Sequence, residues 1–127
     1  MNTVQPIRDR EKLEDLKEEL KKNGTRDYML FYTGINSGMR ISDIVKLTKE
    51  DVRNSDNSMK QHITVIEKKT GKQKRFPLCN GLLVEMEKYT KNMRAGEYLF
   101  KSRKGENKPI TTVQAYRIIS EAAKRIS

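Results

Sequence analysis

Apolar residues recur every three or four positions along most of this chain, and every second position in one stretch near its middle. Leu13, Leu16 and Leu20 mark one face of a helix that runs to about Lys22, with Asp9 as its cap and Asn23-Gly24 as its stop. Tyr28, Phe31 and Ile35 mark a second helix, from Arg26 to about Ser37, capped by Thr25. Gly38 ends it, because the left-handed position just past a helix strains other residues. Ser42 then caps a short helix carrying Ile44, Val45 and Leu47. Thr48 to Asp51 has the form of a cap and a turn, and Asn54 to Ser58 is a polar loop.

The period changes at Gln61. Ile63 and Val65 alternate with Thr64 and Ile66, which predicts a strand to about Glu67. Lys69-Thr70-Gly71-Lys72 supplies a turn, and Arg75-Phe76-Pro77-Leu78 returns as a second strand, with Pro77 at an edge or strand end. Asn80 opens a helix to about Met93, burying Leu82, Leu83, Met86 and Tyr89. Tyr98-Leu99-Phe100 predicts a short third strand, followed by a basic loop from Lys101 to Pro109. Thr111 to Gln114 fits a capping box for a last helix that turns Val113, Tyr116, Ile119, Ala123 and Ile126 inward. The expected fold is therefore α+β: mostly helical, with a small antiparallel β-sheet made of a hairpin plus one short strand. Residues 1–127 form a single domain, with 1–7 as a linker or frayed lead.

Charge changes the picture more than size does. The 127 residues carry a formal net charge of +10, which points to a polyanionic partner. The first helix balances its acids and bases. The excess lies instead in Lys68, Lys69, Lys72, Lys74 and Arg75 against Glu67, and in Lys101, Arg103, Lys104 and Lys108 against Glu106. Solvated basic loops without a ligand are the plain alternative. Cys79 and His62 are the only residues of their kinds, so neither an internal disulfide nor a zinc constellation can form. A reducing cytoplasm is the expected location. No apolar run approaches a membrane span, and the first twelve residues lack the apolar core of a signal peptide.

Candidate chemistry starts at Arg40. It falls in the corner between two helices, flanked by Met39 and Ile41, which favour the core. A guanidinium there presents its planar fork either to a phosphate or to Asp43, three residues on, as a structural bridge. The lysine-rich turn suits general phosphate attraction. Lys101, Arg103, Lys104 and Lys108 suit contacts to a nucleic-acid backbone, which position without reading sequence. Gln114 and Arg117 reach base edges if the last helix enters a major groove, and Arg117 serves equally well as a solvated surface residue.

Gly38-Met39-Arg40-Ile41-Ser42-Asp43-Ile44, followed by Leu47-Thr48-Lys49-Glu50-Asp51-Val52, resembles the first box of the tyrosine recombinases, the phage-integrase family. That box reads roughly T-G-x-R-x-S-E/D-L and then L-x-x-x-D-I. The stretch Lys68 to Leu78 resembles the family's β-hairpin, with a lysine before a short turn and an apolar-Pro-Leu ending. The resemblance implies a tyrosine-recombinase catalytic-domain-like fold and a role in DNA integration and recombination. It implies that Arg40 binds the scissile phosphate, supported by Asp43. It gives the protonation of the leaving 5′ hydroxyl to Lys69, with Lys72 and then Lys68 as the next candidates. The implied partners are double-stranded DNA and other recombinase protomers on it, with no cofactor, no metal, no membrane and no small-molecule substrate.

The family's His-x-x-Arg box, its further His or Trp and its nucleophilic tyrosine find no match. His62 precedes the hairpin, and Tyr28, Tyr32, Tyr89, Tyr98 and Tyr116 fall in elements suited to core or surface. The expectation is the N-terminal portion of an integrase catalytic domain, able to bind DNA and inactive alone. A non-catalytic or regulatory remnant of a recombinase is the alternative, and a basic RNA- or ribosome-associated protein is the rival from another class.

Overall fold

The computed structural model describes residues 10–126; the expected lead over 1–7 and the Asp9 cap lie outside them. The described elements run α1 (Arg10–Lys22), α2 (Thr25–Ser37), α3 (Ile41–Ile44), α4 (Lys49–Val52), β1 (His62–Ile66), β2 (Gln73–Pro77), α5 (Asn80–Thr90) and α6 (Thr112–Ile126). The α+β expectation holds: helices form the body and one antiparallel hairpin forms the sheet.

Helix α1 buries Leu16 and Leu20 against Phe31 of α2 and Ala122 of α6, and it carries ion pairs between Lys17 and Glu14 and between Lys22 and Glu19. A larger cluster joins Met29 and Leu30 of α2, Ile44 of α3, Val52 of α4, Ile63 of β1, and Leu82 and Met86 of α5. Leu99, Phe100 and Ile110, from the segments between α5 and α6, complete it. Each fully buried aliphatic side chain contributes about 1.5–3 kcal/mol, so this cluster ties the corner, the hairpin and the C-terminal helices into one unit.

The hairpin pairs Ile63 with Phe76, Thr64 with Arg75, Val65 with Lys74 and Ile66 with Gln73. With a side-chain period of two, Ile63, Val65, Lys74 and Phe76 share the face turned to the core, and Thr64, Ile66 and Arg75 share the other. The turn is closed by Glu67 N donating to Lys72 O at 2.9 Å and Gly71 N donating to Glu67 O at 2.8 Å. Gly71 has φ 69°, a conformation that strains side-chain-bearing residues.

Several expectations need correction. Tyr98-Leu99-Phe100 does not form a third strand. Tyr98 makes an isolated bridge with Thr48, and the next bridge, Lys101 with Pro109, lies past Phe100. Thr48 passes at once into α4, and Pro109 has no N–H to continue a ladder. The caps also differ: Gly24 rather than Thr25 precedes α2, and Arg40 rather than Ser42 precedes α3, so both hydroxyl residues lie inside their helices. Helix α5 ends at Thr90, short of Met93, in a turn where Met93 N donates to Thr90 O. The inward face of α6 is rotated from the expected one. Ala115 and Ala122 are buried with Ile118, Ile119 and Ile126 packed beside them, while Val113, Tyr116 and Ala123 are exposed. Ile35 of α2 is likewise exposed.

Candidate nucleic-acid interface

The corner between α2 and α3 is built as the glycine signal suggested. Gly38 adopts a left-handed φ of 74°, and Met39 N donates to Ser37 Oγ at 3.1 Å as the chain turns. The Arg40 carbonyl then accepts Asp43 N at 2.9 Å and Ile44 N at 3.0 Å, which starts α3. Met39 is buried on one side of Arg40 and Ile41 half-buried on the other, so the backbone is pinned and the Arg40 side chain is sent outward.

That side chain opens onto a depression of about 610 Å³ lined by Arg40, Asp43 and Lys46 from the corner and by Lys68, Lys69 and Lys74 from the hairpin. Among the described residues, the Arg40 guanidinium has no hydrogen-bond or ion-pair partner, so the structural bridge to Asp43 that spacing allowed is not formed. Lys69 and Lys68 are exposed in the turn and equally unpartnered. Lys74 reaches Glu67 Oε2 at 3.8 Å. Asp51 also lines the depression, but its carboxylate is engaged: Oδ2 accepts Thr48 N at 2.8 Å and Thr48 Oγ1 at 3.2 Å in a capping box. A water-accessible cavity with a guanidinium on a pinned backbone and free ammonium groups suits an oxyanion whose charge is spread over several oxygens.

The other expected residues are distributed differently. Lys72 and Arg75 do not line this depression, and Arg75 lies on the far face of the hairpin. Arg103 and Gln114 meet in a second depression, of about 520 Å³, together with Arg26, Arg117 and Arg125. Lys101 is held by Glu97 Oε2 at 2.7 Å, whereas Lys104 and Lys108 are exposed on the loop. Arg26 donates to Lys101 O at 2.9 Å and pairs with buried Asp27 at 2.9 Å, and Arg125 pairs with Glu19 at 2.6 Å. Arg103, which donates to Asn23 O at 3.4 Å, and Arg117 are the cations there without an ion-pair partner among the described residues, and Glu121 lines the same depression. Neither a tyrosine nor His62 lines the first depression. Tyr28 and Tyr32 stack on each other, and Tyr89 donates to Leu99 O with its hydroxyl pKa raised by burial.

Sequence reading missed Lys46. Its signal was present in the pattern, since Val45 and Leu47 are both core residues and force the position between them to face solvent.

A family model described as the phage integrase family matches residues 8–127. This chain belongs to the phage integrase family. A probable integrase/recombinase, YoeC of Bacillus subtilis (strain 168), is 46% identical over 123 residues, covering 97% of this chain and 65% of the relative. The tyrosine recombinase XerA of Pyrococcus furiosus is 27% identical over 117 residues, covering 91% of this chain and 40% of the relative. The chain thus spans less than two thirds of the length of either curated relative.

The phage-integrase fold is also visible in solved structures. Lambda integrase (residues 75–356) bound to DNA superposes with a TM-score of 0.66 at 16% identity, covering 90% of this chain and 40% of that one. A lambda integrase (75–356) dimer bound to a COC′ core site gives the same values. Among the described residues no helix is long and apolar enough to cross a membrane.

Proposed function

We propose that this chain is the phosphate-holding, DNA-binding portion of the catalytic domain of a site-specific tyrosine recombinase. One observation carries the reading: Arg40 from the helix corner and Lys69 from the hairpin turn open onto the same depression. Arg40 grips the non-bridging oxygens of the scissile phosphate, where charge builds during attack. Lys69 donates a proton to the 5′ oxygen as its bond to phosphorus breaks. In the intact enzyme a tyrosine hydroxyl attacks phosphorus, forms a 3′-phosphotyrosine bond and releases the 5′ hydroxyl, so the phosphoester is kept for rejoining.

Asp43, whose carboxylate has no partner among the described residues, supports the Arg40 fork once a phosphate draws it inward. Lys68 and Lys74 contact the backbone around the cut, and Lys72 and Arg75, which lie outside the depression, contact backbone farther along the duplex. Lys101, Arg103, Lys104, Lys108 and Gln114 hold a second stretch of duplex, which the separate depression around Arg103 and Gln114 supports. The relatives named as recombinases and the solved neighbours bound to DNA support duplex DNA, with other protomers assembled on it, as the partner. With no tyrosine beside the depression, the chain alone binds duplex without cutting it.

Two assays test this. Labelled duplex DNA and structured RNA compete for the chain across a salt series, and duplex is expected to win, with log affinity falling linearly in log salt. A nicked suicide duplex is expected to give no covalent adduct. Preference for RNA overturns the DNA reading, and a protein–DNA adduct overturns inactivity of the chain alone.

A further inference from the structure

Two cations at the helix corner share one construction. Arg40 is exposed between buried Met39 and half-buried Ile41, and Lys46 is exposed between buried Val45 and buried Leu47. Core anchors on both sides fix the backbone at each position and leave only the outward side chain free. The hairpin lysines lack this support, since Lys68 through Arg75 are exposed throughout. Groups that must meet a ligand with accuracy are better placed where packed neighbours lock the backbone than in a turn exposed throughout.

Lys46 lines the same depression as Arg40 and has no partner among the described residues. The carboxylates around it leave it uncompensated: Asp51 is committed to the Thr48 capping box and Glu67 to Lys74. Asp43 is the remaining carboxylate of the lining, facing Arg40, Lys46, Lys68 and Lys69 together. An ammonium held this way is a point charge suited to a phosphate oxygen, but not to the bidentate grip that a guanidinium provides.

We propose that Lys46 is a second fixed phosphate contact, binding a DNA phosphate next to the one held by Arg40. The inference rests on the DNA reading above. Lys46 works as an anchor that sets the strand in register over Arg40, while Lys69 approaches from the opposite wall.

The test is fluorescence-anisotropy titration of a labelled duplex across a salt series with the wild-type chain and the Lys46→Gln, Lys46→Arg and Lys91→Gln variants. Lys91 is an exposed lysine outside both depressions and serves as the control. Loss of one phosphate contact lowers the slope of log affinity against log salt by about 0.9. Lys46→Gln is expected to show that loss on unrelated sequences alike, with unchanged thermal unfolding. Lys46→Arg is expected to restore the slope, and Lys91→Gln to keep it. If the wild type binds duplex and Lys46→Gln behaves like Lys91→Gln, the proposal fails while the DNA reading stands. If the wild type does not bind duplex, both fail.

Discussion

The Arg53 guanidinium donates from Nε to Thr90 Oγ1 at 2.9 Å, joining the end of α4 to the last turn of α5 inside the protein. The same fork gives Nη2 to Glu87 O at 2.8 Å and Nη1 to Asn57 O at 2.5 Å, and Thr90 Oγ1 donates onward to Met86 O. Arg53 is buried, so these bonds replace its hydration. Arg53→Ala takes this donor from the Glu87 and Asn57 carbonyls and leaves Thr90 Oγ1 only its bond to Met86 O, and is expected to destabilise the fold by about 2–4 kcal/mol. Arg53→Lys is expected to recover only part of that, because one ammonium cannot reproduce the planar fork. Urea unfolding of the variants measures both. A loss below about 0.5 kcal/mol in Arg53→Ala contradicts the assignment.

Thr33 presents the opposite case. Its Oγ1 is fully buried in α2 and has no hydrogen-bond partner. Desolvating an unpaired hydroxyl costs about 1–3 kcal/mol, and valine fills nearly the same shape without it. Thr33→Val is therefore expected to leave stability unchanged or to raise it by about 1 kcal/mol, read from the urea midpoint. A clear loss of stability would show that the hydroxyl has a partner.

The basic loop after Phe100 has a pH-dependent tether. Arg94 N donates to Glu97 Oε1 at 3.0 Å and Lys101 Nζ lies 2.7 Å from Oε2. The backbone donor and then the ammonium hold the Glu97 carboxyl below its ordinary value of 4.5. A folded-state pKa below the unfolded one adds stability above the unfolded value and loses it as pH falls through the folded value. Wild type should thus exceed Glu97→Gln in thermal stability at neutral pH, and the gap should close on acidification below about 4.5. A gap that is constant with pH would rule out the charge as its source.

Much of this architecture was legible in the chain. Gly38 announced the helix corner because only a few residues tolerate its left-handed backbone, and the alternation around Ile63 and Val65 announced the hairpin. Burial by residue size failed on α6. There small Ala122 packs with Leu16 and Leu20 of α1 and small Ala115 joins the larger cluster, while the larger Val113 and Tyr116 stay outside. Arg40 and Lys69 were readable as separate signals, at a corner and at a turn. Their common depression follows from Ile63 and Phe76 packing with Ile44 and Leu47, a tertiary contact that local pattern does not encode. Lys46, in the turn after α3, was overlooked because a single lysine between two apolar residues carries no motif of its own.

The central claim is that Arg40 and Lys69 engage one and the same phosphate group. Side-chain NMR of the Arg40 Nε–H and the Lys69 ammonium during titration with a short duplex tests it most directly. Both signals are expected to shift along one saturation curve, and Arg40→Gln is expected to weaken the response at Lys69. Shifts that saturate at different duplex concentrations, or a Lys69 signal indifferent to loss of Arg40, would contradict it.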